Sequence, residues 1–172
     1  MARYFVAFDF SDDDKQKLYA TAEDFIIQNK KILSDKHFKI KRVQPKNIHL
    51  TVKFLGNIDG DSLAGFLRNY QAVIQSMPDE LMFEVKSVSL FKKRTEAIYW
   101  FDGDYSQIVG WAKKINAEFI PHITFLRIAP CVDLEYKVNM PIQIKPTKIA
   151  LYNSVLGQKG PRYEEIIVMK KW

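Results

Sequence analysis

Two apolar, β-branched runs of this chain carry the same polar residues at the same places, and that repetition limits the fold more than any other feature. Residues 47–56 read Asn-Ile-His-Leu-Thr-Val-Lys-Phe-Leu-Gly and residues 119–127 read Phe-Ile-Pro-His-Ile-Thr-Phe-Leu-Arg, so His49-Leu50-Thr51-Val52 recurs as His122-Ile123-Thr124-Phe125. Each run has the length and residue types of a buried strand. Side chains two apart on a strand share a face, so His49 points with Thr51 and His122 with Thr124. A core gains nothing from such pairs, because each buried imidazole or hydroxyl must find a partner or cost about 1–3 kcal/mol. Their repetition within the most apolar strands marks a site. Laid side by side, the two strands bring two imidazoles and two hydroxyls to one cleft. Histidines titrating near neutrality serve there as base and acid, and the hydroxyls hold an oxyanion between them.

The rest of the chain supplies helix–strand units around both tetrads. Arg3 to Phe10 reads as a strand; Ser11 followed by three aspartates caps a helix reaching about Asn29, with the acidic residues a solvated first turn. Further strands are expected over 36–43, 81–90 and 97–101, helices over 61–76 and 105–118, and three extended segments after Val138, broken by Pro146 and by residues 157–161. The tetrad strands end near Gly56 and Arg127. This order predicts an α+β protein with two pseudo-symmetric lobes of antiparallel sheet, outer helices and a central cleft, each lobe giving one tetrad. At 172 residues and 47% hydrophobic content, residues 1–172 suit a single domain without a separate linker.

Composition narrows the chemistry. The net charge of +6 favours a polyanionic partner, and RNA is one. A lone cysteine, Cys131, gives no disulfide framework or thiol metal knuckle, and redox chemistry is not expected. The seven glycines form no phosphate-binding loop, which disfavours nucleotide-triphosphate hydrolysis. No metal-binding spacing of histidines accompanies either tetrad, so the expectation is a site without metal or cofactor. With no signal-peptide layout and no apolar run of about 18 residues, a soluble, cytoplasmic protein with no membrane partner is expected.

The paired tetrads resemble those of the 2H phosphoesterases, and within them the LigT-like RNA 2′,3′-cyclic phosphodiesterases, historically called 2′-5′ RNA ligases. The resemblance runs over nearly the whole chain. It takes in Arg3-Tyr4-Phe5-Val6-Ala7-Phe8, both tetrad stretches, and Ala150-Leu151-Tyr152-Asn153-Ser154 followed by Gly160-Pro161-Arg162-Tyr163. One departure is the room for only one short helix between Asp104 and Phe119, where many relatives carry a longer helical stretch. The resemblance implies a monomeric hydrolase acting on RNA with 2′,3′-cyclic phosphate ends, tRNA fragments among them, and opening these to 2′-phosphates. It gives His122 the role of base and His49 that of acid, puts Arg127 near the substrate phosphate, and makes Phe54 a stacking surface for a base. Pseudo-symmetry leaves the two histidine roles exchangeable on sequence grounds. Arg127 lies five residues after His122, an odd spacing that turns it from the histidine face unless a bulge or strand end re-aims it. Lys53 shares the His49 and Thr51 face if its strand is regular, and His37, outside both tetrads, is expected to be exposed. Two alternatives stay open: 2′-5′ ligation by the same site, and an RNA-end binding module without catalysis.

Overall fold

The computed structural model describes residues 3–136, 138, 140–157 and 160–172. Among the described residues nine strands and four α-helices follow in the order β1 (Arg3–Phe10), α1 (Asp12–Gln28), α2 (Lys30–Leu33), β2 (Lys39–Arg42), β3 (Leu50–Gly56), α3 (Gly60–Gln75), β4 (Phe83–Lys92), β5 (Ala97–Asp104), α4 (Ser106–Ala112), β6 (Ile123–Ala129), β7 (Ile142–Ile144), β8 (Pro146–Gly157) and β9 (Gly160–Lys171). They build two antiparallel sheets, one in the order β3-β1-β8-β9 and the other in the order β2-β6-β5-β4-β7. The expected α+β class and the division into two antiparallel sheets are therefore found. Each sheet holds one tetrad strand, β3 at the edge of the first and β6 inside the second.

Local chemistry sets the helix boundaries. Ser11 Oγ accepts the Asp14 amide at 3.1 Å, and Asp59 Oδ1 accepts the Ser62 amide at 2.7 Å, so α1 and α3 each begin on a side-chain cap. The first turn of α1 is less solvated than its sequence suggests. Asp14 is buried, taking Lys17 Nζ at 3.1 Å and the Lys145 amide at 3.1 Å, and so ties the helix to the segment before β8. Two expected elements are shorter in the structure. The strand expected over 36–43 is in register with β6 through 39–42, with one further amide bond from Val43 to the Phe125 carbonyl at 2.9 Å, and the helix expected over 105–118 gives way to turns after Ala112. Residues 158 and 159, within the expected break at 157–161, lie outside the described residues.

One apolar core joins both sheets to the helices. Val6, Phe8, Leu50 and Leu151 of the first sheet meet Phe83, Tyr99, Phe125 and Leu126 of the second, together with Leu18 and Phe25 of α1, Ile74 of α3 and Ile108 of α4. The opposite face of the first sheet carries a small separate cluster of Phe5, Ala7, Ala150 and Tyr152. On the second sheet Ile98 and Trp100 are likewise buried outside the main core. These second faces bear the tetrads.

Candidate active site

Both histidines stand one residue before their strands begin, slightly outside the strands in which the sequence reading places them. The same device orients each ring. His49 Nδ1 lies 2.7 Å from the Asn47 carbonyl, and His122 Nδ1 lies 2.8 Å from the Ile120 carbonyl. A carbonyl oxygen only accepts, so each Nδ1 carries a proton and donates it, leaving Nε2 as the nitrogen that takes or gives a proton. The Thr51 hydroxyl donates to His49 Nε2 at 3.0 Å.

A second shared device decides which later residues face the histidines. Thr51 pairs with Ala7 and Lys53 with Val6, so Val52 is an extra residue on β3. Thr124 pairs with Trp100 and Leu126 with Tyr99, so Phe125 is the extra residue on β6. A bulge thus follows the threonine in each copy and shifts the alternation by one. Positions three apart then share a face: Thr51 with Phe54, whose β1 partner is Phe5, and Thr124 with Arg127, whose β5 partner is Ile98. The bulge that Arg127 requires is present. By the same shift Lys53, expected beside Thr51 on a regular strand, turns to the side of buried Val6 and away from the histidine.

Each imidazole is walled by two aromatic rings. His49 lies 5.1 Å from Phe5 and meets Tyr163 edge-on at 5.1 Å; His122 meets Phe91 edge-on at 5.3 Å and Trp100 at 6.0 Å. The sequence reading missed all four as site residues. Their only signal is position, because Phe5 and Trp100 lie on the strands paired to the tetrads, Phe91 lies one strand further on, and Tyr163 lies two strands further on. Small side chains at Ala7 and Ala150, paired to each other across β1 and β8, leave room for this packing beside Thr51.

The two half-sites face one another. β3 and β6 approach at the seam between the sheets, and Asn116 Nδ2 donates to the Val52 carbonyl at 3.0 Å, fastening the segment before the second tetrad to the first. Burial pushes the His49 ring down to about 4; its bond to the Asn47 carbonyl and the charge of Asp9 oppose this, while His122 and Lys15 add to it. Taken as a whole residue, His49 is half-buried. Burial also raises the Tyr163 phenol, and Arg127 across the cleft offsets part of that rise.

The remaining expected residues fall as follows. Thr124 is half-buried on the His122 side, Phe54 is 71% exposed with its ring 5.9 Å from Phe5, and Arg127 is half-exposed with Nη1 3.2 Å from Glu96 Oε1. His37 is exposed beside Asp35, outside both tetrads. Among the described residues no group of three or more His, Cys, Asp or Glu is placed to hold a metal ion, and no helix is long and apolar enough to cross a membrane.

Comparison with known proteins adds four likenesses. The LigT like Phosphoesterase family profile matches residues 22–99, a span that includes the first tetrad. The RNA 2′,3′-cyclic phosphodiesterase of Methanocaldococcus jannaschii is 26% identical, covering 99% of both chains, and that of Thermotoga maritima is 23% identical, covering 94% of this chain and 91% of its own. Among solved structures, Escherichia coli LigT complexed with 3′-AMP superposes with a TM-score of 0.64 at 20% identity, over 99% of this chain and 96% of that one.

Proposed function

From a chain that is LigT-like in sequence and fold, we propose an RNA 2′,3′-cyclic phosphodiesterase that opens the cyclic end to a 2′-phosphate, with His49 and His122 as an acid–base pair and without a metal ion. The observation that carries this reading is the doubled device: two imidazoles, each with Nδ1 committed to a carbonyl two residues back, each followed by a threonine and a bulge, on two facing sheets. A site that only bound phosphate would be served by Arg or Lys and has no need to fix two tautomers.

The chemistry runs between the two Nε2 atoms. One imidazole takes a proton from water as the water oxygen bonds to phosphorus. The P–O3′ bond breaks, and the departing O3′ takes a proton from the other imidazolium, leaving a 2′-phosphate and a free 3′-hydroxyl. The Thr51 and Thr124 hydroxyls donate to the phosphoryl oxygens as charge gathers on them, and Arg127 adds a cation on the same face as Thr124. Phe54, exposed at the rim, offers a flat apolar surface to the terminal base. The LigT-like resemblance makes His122 the base and His49 the acid. Since His49 is held neutral in the free protein, the acid role requires it to take up a proton as the phosphate anion binds beside it.

The decisive assay uses a nucleoside 2′,3′-cyclic phosphate in EDTA, with the product resolved as 2′- or 3′-phosphate. We expect the 2′-phosphate. Product formed only after a metal is restored would move the site to metal-assisted hydrolysis, and no product at all would overturn the reading.

A further inference from the structure

The edge strand β2 extends the candidate site in a direction that the tetrads do not suggest. Its register with β6 puts Lys41 opposite Arg127 and Lys39 opposite Ala129. Residues directly opposite on paired strands point to the same face, so both lysines continue the face that holds Thr124 and Arg127, leading away from His122. Their neighbours point the other way: Ile40 packs on the main core, and Arg42 is tied to Glu23 at 2.9 Å. Lys39 and Lys41 are exposed, and among the described residues neither has an ion-pair partner. Two residues along a strand they stand about 6.6 Å apart, a separation close to that of successive phosphates on an extended single strand. The first cation of the row, Arg127, shares its charge with Glu96; the next two are free.

Resting on the proposed activity, we propose that Lys41 and Lys39 form a ledge that holds the phosphodiester backbone of the RNA on the 5′ side of the cyclic end. The substrate is then an oligoribonucleotide rather than a mononucleotide. Charge complementarity selects this occupant: the row is cationic, two of its three members are unpaired, and it begins at the residue set beside the terminal phosphate.

The test compares a short oligoribonucleotide ending in a 2′,3′-cyclic phosphate with the mononucleoside cyclic phosphate, in the unaltered protein and in a Lys39→Gln/Lys41→Gln variant of verified Tm. The unaltered protein should prefer the oligomer, and the variant should lose roughly tenfold of the oligomer-to-mononucleotide ratio of kcat/KM. The log–log salt slope for oligomer binding should fall by about two. An unchanged ratio and slope would overturn the ledge. So would new self-association of the variant with RNA binding intact, which would mean that the lysines only guard a sheet edge. If the unaltered protein hydrolysed neither compound, the proposed activity would fail. The salt slope for binding, read without turnover, would still decide the ledge.

Discussion

His49 sits between Phe5 and Tyr163 with its proton on Nδ1, and its surroundings make it neutral down to a pH of about 4. Because that value lies below the unfolded value of about 6.5, the folded protein binds this proton less tightly than the unfolded chain. The ring's contribution to stability is therefore fully present above pH 6.5 and is lost as the pH falls toward 4. Its upper bound is about 3 kcal/mol, reduced by screening because the residue is only half-buried. Thermal unfolding of the unaltered protein and of His49→Ala between pH 7 and pH 4 checks this: the variant should lose less stability over that span, and equal losses would assign the acid sensitivity elsewhere. On activity, His49→Ala and His122→Ala should each lower cyclic-phosphate hydrolysis by roughly 10²–10⁴-fold, with the double variant little worse than the poorer single one. Near-full turnover in either would refute the pairing. The roles are read from the pH profile of kcat/KM: loss of the alkaline limb on replacing a histidine marks the acid, and loss of the acidic limb marks the base.

The elements around the tetrads explain what a sequence can and cannot reveal about this site. The tetrads, the capped start of α1, and the strand that ends at Gly56 are all legible, because residue type and local spacing determine them. The bulges at Val52 and Phe125 are not, because they are properties of a register against β1 and β5 that the tetrad strands do not contain. The aromatic walls escape notice for the same reason: Tyr163 reaches His49 only once β9 is folded beside β8. Lys53 and Phe54 turn this into a measurement. On a regular strand Lys53 faces the histidine and Phe54 does not; with the bulge the faces exchange. Phe54→Ala should cost roughly tenfold or more in kcat/KM, the worth of one stacked base, whereas Lys53→Ala should change it by less than about twofold. The reverse ranking would mean that β3 is regular in solution.

At the scale of the whole molecule, the proposed activity requires both sheets to keep their relative position, since each supplies one half of the proposed acid–base pair. The continuous core is what can hold them. Phe8 of β1 touches Phe83 of β4 at 5.7 Å and Trp111 of α4 at 6.0 Å, while Phe125, the bulge residue of the second tetrad, stacks on Phe101 at 4.3 Å and meets Phe25 of α1 at 5.5 Å. Apolar contacts that cross from one sheet to the other make opening of one lobe expose the core of both, so the lobes should unfold as one unit. Phe8→Ala and Phe125→Ala each remove a fully buried ring and should each destabilise by about 3–5 kcal/mol. For a chain of this size that lowers Tm by roughly 10 °C. The expected result is one transition, shifted by either substitution and followed equally by a probe in each sheet, such as hydrogen exchange at Val6 and at Phe101. Two transitions, with Phe8→Ala moving one and Phe125→Ala the other, would show that the lobes are independent bodies. The fixed separation of the two imidazoles would then have to come from bound RNA, and the histidines of the free protein would no longer share one pH profile.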